Sequence, residues 1–116
     1  MPPPSSGGTA LIEMLNILEG FDLATSGFGT TETLHYMVES MRRAYADRAK
    51  FIGDPDFNTD MPIDRLISKA YAEQLRNTID PNEASRSDAN AIILPKESPE
   101  TTHFTVVDKD LSLIHI

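Results

Sequence analysis

The sequence predicts a chain of the mixed α/β (α+β) class that is mostly helical, with one or two strands near the C-terminus. Three observations lead to this prediction. Apolar residues recur at helical spacing through residues 9–79, a polar segment broken by prolines follows at 81–99, and a β-branched and aromatic run begins at Thr101. With 116 residues, the chain fits at most one small domain.

The first helix is predicted to begin near Thr9, because a threonine hydroxyl can accept a hydrogen bond from the exposed N–H groups of a helix start. Gly20 and the turn-rich residues that follow it are expected to end this helix. Its apolar face has helical spacing and consists of Leu11, Ile12, Leu15 and Leu18.

A longer second helix is predicted to begin after a cap at Thr30 or Thr31 and to close at Gly53. Arg43 and Asp47 are four residues apart and are predicted to form a modest surface ion pair. The apolar stripe of this helix consists of Leu34, Met37, Val38, Met41, Ala44, Tyr45 and Ile52.

A third helix is predicted with Pro62 in its first turn, where the missing N–H of proline costs nothing. The residues from 81 to 99 are polar and contain several prolines, so they are predicted to form an exposed connector. The buried face of the third helix is predicted to comprise Leu66, Ile67, Ala70, Tyr71, Leu75 and Ile79.

Residues 101–107 are predicted to form a β-strand, since they are rich in β-branched and aromatic residues. A lone strand leaves backbone donors and acceptors unpaired, so the rest of its sheet is expected to lie elsewhere. The strand begins with threonine, directly after the connector.

Composition excludes several classes of function. The chain has 18 acidic and 10 basic residues and a formal charge of -8, which argues against a nucleic-acid partner because phosphates would be repelled. It contains no cysteine, which rules out a disulfide framework, a thiolate nucleophile and a cysteine-based zinc site. Its histidines are far apart in sequence, so a metal site built from them is not predicted. No cofactor is predicted either.

Thr101 is the candidate nucleophile, although a plain boundary between loop and strand remains the alternative interpretation. If the chain is cut before Thr101, one residue carries both a hydroxyl group and a free α-amino group. An α-amino group has a pKa of about 7.7–8.0, so it can act as a general base without a histidine. N-terminal threonine is a recognised nucleophile of this kind.

Five segments occur in the order and at the spacing of one known family, namely residues 1–8, 16–19, 44–48, 53–57 and 101–108. On these segments the chain resembles the γ-glutamyltransferase family (γ-glutamyltranspeptidase, glutathione hydrolase) of the N-terminal nucleophile hydrolase superfamily. The resemblance covers residues 1 to about 110. It implies a fragment of the four-layer αββα fold of that superfamily, spanning the end of the large subunit and the start of the small subunit.

The resemblance also implies a role for Thr101, because members of the family are made as proenzymes that cut themselves into two subunits. Thr101 would be the catalytic nucleophile, and the bond between Glu100 and Thr101 would be the processing bond. Residues 1–100 would belong to the large subunit, and 101–110 would form the first strand of the small subunit, its partner in the same proenzyme. The substrate implied is glutathione or a related γ-glutamyl amide, with water, an amino acid or a peptide as acceptor.

Residues 111–116 depart from the family pattern and are interpreted as a non-native tail, resembling translated sequencing-adapter sequence. The substrate-binding and oxyanion-hole residues of the family are expected outside this chain, so the isolated fragment is expected to be inactive. The resemblance further implies a periplasmic or extracellular location. Two alternatives stay open, a cephalosporin acylase-type relative and a non-catalytic helical fragment or interaction module.

Overall fold

A computed structural model describes residues 5–53, 59–87, 105–107 and 113–115 of the chain. Within these ranges the helices are α1 (Gly7–Leu18), α2 (Leu23–Ser26), α3 (Thr31–Phe51), α4 (Ile63–Leu66) and α5 (Lys69–Arg76). They are followed by two short strands, β1 (Thr105–Val107) and β2 (Leu113–His115). The predicted fold class, mostly helical with one or two strands near the C-terminus, is therefore confirmed.

Helix α1 begins at Gly7, before the predicted start, and the prediction of a cap at Thr9 is wrong. Thr9 is instead buried within the helix. The residue before the helix, Ser6, has helical dihedral angles and makes no side-chain cap hydrogen bond. Its hydroxyl accepts a hydrogen bond from Nε of Arg48 in α3 at 2.7 Å, so a contact between helices replaces the local cap.

The cap predicted at Thr30 or Thr31 is Thr30, whose Oγ1 accepts a hydrogen bond from the backbone N–H of Thr33 at 3.2 Å, and Thr31 is the first residue of α3. The helix ends at Phe51, with Arg48 and Lys50 in its last turn, where positive charge is favourable against the helix dipole. Gly53 lies just beyond this end. No helix within the described ranges combines the length and the apolar character needed to cross a lipid bilayer.

The apolar stripes of α1 and α3 are largely exposed. Leu15 of α1 is 56% exposed and Tyr45 of α3 is 55% exposed, and their apolar neighbours Leu11, Ile12, Leu34, Val38 and Met41 are exposed as well. Apart from Ile17 of α1, the buried residues of these helices are small or polar, namely Thr9, Ala10, Glu13 and Asn16 of α1 and Thr33, Glu39, Ser40 and Ala44 of α3. In layered folds an apolar helix face of this kind is covered by a neighbouring layer.

The predicted third helix is two helices. α4 ends at Leu66, and Ser68 begins α5 by accepting a hydrogen bond from the backbone N–H of Tyr71 at 3.2 Å. Because this break changes the helical phase, Ala72 is buried, and Ala70, which was predicted to be buried, is exposed. Pro62 is the residue before α4 and not part of its first turn. Leu66 and Tyr71 are buried as predicted.

Strands β1 and β2 pair in antiparallel orientation, with Val106 opposite Ile114. The expectation that β1 lacks a partner within this chain is therefore wrong, since Leu113–His115 supplies one. The pairing involves part of the segment interpreted as a non-native tail, and that interpretation stays a prediction.

Gly20 closes α1 in close contact with Arg76, so Gly20→Ala is expected to destabilise the fold. A Cβ atom at Gly20 would lie 1.9 Å from Cζ of Arg76. That guanidinium group donates hydrogen bonds to the carbonyl oxygens of Ile17 at 3.0 Å and Asn16 at 2.8 Å, which lie in the last turn of α1. We expect a loss of about 2 kcal/mol in the free energy of unfolding, the scale of a hydrogen bond from a charged group.

Urea unfolding of both single variants and of the double variant measures this effect. The Gly20→Ala change should cost little in an Arg76→Ala background, because the group it displaces is already absent. An equal cost in both backgrounds would contradict the explanation.

Candidate functional site

The predicted nucleophile Thr101 and the processing bond between Glu100 and Thr101 lie outside the described residues. Ser87 is the last described residue before this junction, and Thr105 is the first one after it. The assignment of Thr101 and Glu100 therefore stays a prediction. What the structure describes is how the two flanking segments are held.

Downstream of the junction, the backbone of Thr105–Val107 is held as a strand by its pairing with β2. Upstream, the start of the connector is held against α3 by a cluster that we name the connector anchor, comprising Glu39, Arg42, Arg43, Ser85 and Ser87. These side chains come together because positions 39, 42 and 43 share one face of α3.

Glu39 is the centre of the connector anchor and is only 1% exposed. Its Oε1 accepts a hydrogen bond from the backbone N–H of Ser85 at 3.0 Å, and its Oε2 accepts one from the Ser85 hydroxyl. Oε2 also accepts a charge-assisted hydrogen bond from Nη1 of Arg43 at 2.6 Å. The carboxylate is therefore surrounded by donors from the helix and from the connector.

The two arginines extend this contact along the chain. Arg43 donates from Nε to the hydroxyl of Thr78 at 2.8 Å and from Nη2 to the carbonyl oxygen of the same residue at 2.9 Å. Arg42 donates to the carbonyl oxygen of Ser85 and to the hydroxyl of Ser87 at 3.0 Å. Residues 78 to 87 are thus attached to α3 at several points.

The charge state of Glu39 follows from these contacts. Burial alone would raise the pKa of Glu39, but the hydrogen bonds from Ser85 and Arg43 outweigh burial and hold the pKa below the usual glutamate value. Glu39 is therefore ionised at neutral pH, when its three donors are matched by a negative charge.

The predicted ion pair between Arg43 and Asp47 is wrong. Arg43 pairs with Glu39 instead, and Asp47 accepts a hydrogen bond at 2.6 Å from the hydroxyl group of Tyr71 in α5. The spacing of Glu39 and Arg43 was a signal for the correct pair, because an acid four residues before a base is the favoured order on a helix. The sequence carried no comparable sign that Ser85 would supply the remaining donors.

The described residues hold no group of three or more His, Cys, Asp or Glu side chains arranged to bind a metal ion.

The family model described as gamma-glutamyltranspeptidase matches residues 1–115 of the chain. The chain is 46% identical over 112 residues to the glutathione hydrolase proenzyme of Escherichia coli strain K12, covering 95% of the chain and 19% of that relative. It is 45% identical over 107 residues to the acylase ACY 1 proenzyme of Pseudomonas sp. strain SE83, covering 92% of the chain and 19% of that relative.

The fold is similar to a solved structure of the same family. The crystal structure of Helicobacter pylori gamma-glutamyltranspeptidase superposes with a TM-score of 0.71 at 42% sequence identity, covering 85% of this chain and 29% of that one. The chain therefore spans about a fifth of the length of the curated relatives that it matches, 19% and 20% for two of them. Since the family model matches nearly every residue and the fold agrees, the chain belongs to the gamma-glutamyltranspeptidase family.

Proposed function

We propose that the complete protein containing this chain is a γ-glutamyl hydrolase or transferase that acts on glutathione and related γ-glutamyl amides. The observation that carries the proposal is the 46% identity to a glutathione hydrolase proenzyme over 95% of the chain. Because the chain spans about a fifth of such relatives, the activity belongs to the longer protein, and the isolated chain is expected to be inactive.

The proposed first reaction is self-cleavage. Oγ of Thr101 attacks the carbonyl carbon of Glu100, the peptide C–N bond breaks, and the nitrogen of Thr101 takes up a proton to become a free amine. Water then hydrolyses the ester formed between Glu100 and Thr101. The products are a large subunit that ends at Glu100 and a small subunit that begins at Thr101.

The proposed second reaction uses the group that the first one releases. The α-amine of Thr101 accepts the proton of its own hydroxyl while Oγ attacks the γ-glutamyl carbonyl, and the proton then passes to the departing amide nitrogen. In hydrolysis, water attacks the γ-glutamyl ester and releases the γ-glutamyl group as a free acid. In transfer, the amine of an amino acid or a peptide takes the γ-glutamyl group instead. In both cases the bond to Oγ of Thr101 breaks and the hydroxyl group is restored. The described geometry is compatible with this scheme, since the connector anchor and β1 hold the chain on either side of the junction.

An acylase is the second candidate function. The identity to the acylase ACY 1 proenzyme, 45%, is nearly the same as the identity to the glutathione hydrolase proenzyme, 46%. Assays of the complete protein with a γ-glutamyl anilide and with an acyl amide that lacks the glutamyl α-amino and α-carboxylate groups separate the two. A higher kcat/KM for the second substrate would favour the acylase.

We also propose a periplasmic or extracellular location, which rests on the family resemblance alone. Fractionation of cells that express the complete protein tests it, and retention with a cytoplasmic marker enzyme would contradict it.

Thr101→Ala is expected to abolish self-cleavage of the complete protein, because alanine has no hydroxyl group to attack the preceding carbonyl. Mass spectrometry of the purified protein should find two pieces in the wild type, the second beginning at Thr101, and one intact chain in the variant. Thr101→Ser should still be cut, since it keeps a hydroxyl, and Ser98→Ala should be cut normally. Cleavage of the Thr101→Ala protein between Glu100 and residue 101 would refute the proposal.

A further inference from the structure

A second fully buried glutamate lies in α1 and has no role in the proposed chemistry. Glu13 of α1 is 0% exposed, and neither of its carboxyl oxygens has a hydrogen-bond partner within the described part of the chain. An ionised carboxylate that is buried without donors is strongly destabilised. The feature therefore requires an explanation.

The charged and titratable groups near Glu13 are linked through Asp47 of α3. Asp47 of α3 lies close enough for charge interaction with Glu13, and the Tyr71 hydroxyl of α5 donates to Oδ2 of Asp47 at 2.6 Å. Arg65 of α4 stacks over the Tyr71 ring, with Cζ 4.5 Å from the ring centre. The one proton of the Tyr71 hydroxyl is thus used by Asp47 and is not offered to Glu13.

A proton on Glu13 removes the buried charge that has no donors. A neutral carboxyl group carries one O–H donor, and the neighbouring Asp47 carboxylate is an acceptor. A buried carboxyl group beside a second carboxylate resists ionisation, because like charges at short range repel strongly in a medium of low dielectric constant.

We propose that Glu13 carries a proton in the folded chain and donates it towards Asp47 across the contact between α1 and α3, and that this proton on Glu13 is a pH-sensitive lock on the helical bundle. The proposal is independent of the proposed enzymatic activity, because it rests on residues 13, 47, 65 and 71 alone. The ligand of this site is a proton, and the described residues offer no further group to hold a metal ion there.

The electrostatics agree with the geometry. Burial first, and then the negative charge of Asp47, raise the pKa of Glu13 from 4.5 to about 8. Burial and the hydrogen bond to Asp47 likewise raise the pKa of Tyr71 to about 12, so Tyr71 remains a donor throughout the relevant pH range.

The sign of the pH dependence follows from this raised value. Between pH 4.5 and about 8 the folded chain keeps a proton on Glu13 that the unfolded chain has released. The contribution of the lock is therefore complete at acidic pH and is lost as the pH rises through this window. Above about pH 8 the folded chain must hold the buried negative charge of Glu13 beside the partly buried Asp47.

Glu13→Gln tests the lock, because glutamine has nearly the same shape and its neutral amide can donate to Asp47 without releasing a proton. Urea unfolding of the 116-residue chain gives the unfolding equilibrium constant at each pH. For the wild type this constant should rise on the order of 10³-fold from about pH 5 to about pH 9 through Glu13 alone. The rise should be absent in Glu13→Gln and unchanged in Glu73→Gln, which alters an exposed glutamate on α5.

A direct titration makes the test independent of whether a variant folds. Carbon-13 NMR of the Glu13 carboxyl group in the wild type should show a midpoint near pH 8, and Asp47→Asn should move that midpoint to lower pH. A Glu13 midpoint in the usual glutamate range would overturn the proposal. So would a Glu13→Gln protein whose unfolding has the same pH dependence as the wild type.

Discussion

Glu39→Gln is expected to destabilise the folded chain by about 3 kcal/mol, since it removes the charge from a buried and fully paired carboxylate. Three donors converge on that carboxylate, namely Nη1 of Arg43 and the backbone N–H and hydroxyl group of Ser85. A glutamine amide can accept through its oxygen only, and its NH2 group would face another donor. The loss therefore comes from mismatched hydrogen bonds and not from a change in shape.

Urea unfolding at neutral pH measures this loss, and hydrogen exchange at the Ser85 amide shows whether the connector start is released. Glu32→Gln is the matched control, because it removes the same charge from an exposed position on the same helix. The control should change stability by less than about 0.5 kcal/mol. If the two variants lose the same stability, the connector anchor does not hold the connector.

The pH dependence of Glu39 has the opposite sign to that of Glu13. The pKa of Glu39 is lowered in the folded chain, so its contribution is present above the usual glutamate pKa of 4.5 and is lost as the pH falls through the folded value. The same chemical change, glutamate to glutamine, is therefore expected to destabilise at position 39 and to stabilise at position 13 in alkaline solution. Burial is nearly equal at the two positions, and the difference lies in the donors around each carboxyl group.

Leu66→Ala is expected to cost about 3 kcal/mol of unfolding free energy, within the range found for leucine truncation in protein cores. Leu66 is 0% exposed and ends α4, which packs against both α1 and α5. Truncation removes buried apolar surface and leaves a cavity at the point where the three helices meet. Because the chain is small, such a loss is a large share of its total stability.

Leu15→Ala is the control for this prediction, since it makes the same truncation at a helical position that is 56% exposed. Thermal or urea unfolding of the 116-residue chain should show a change several times smaller than for Leu66→Ala. An equal loss in both variants would mean that the stripe containing Leu15 is covered in solution, contrary to the described fold.

Local patterns predicted much of the fold correctly. The cap of α3 is predicted at Thr30 or Thr31, and α3 as a long helix, because capping and helical periodicity depend on residues within a few positions of one another. The break at Ser68 was also a local signal, a serine three residues before the N–H that it caps, and it was missed because the apolar spacing runs through it. The family was recognisable for a similar reason, since its segments keep their order along the chain.

The sequence by itself therefore determined the fold class, the positions of the long helices and the family to which the chain belongs. Only the tertiary structure decided which side chains are buried and paired. It brought Ser85 to Glu39, left the apolar Leu15 exposed, and enclosed Glu13 next to Asp47. These outcomes depend on contacts between residues more than 30 positions apart, such as Ser85 with Glu39, and helical spacing carries no information about which distant segment covers which face.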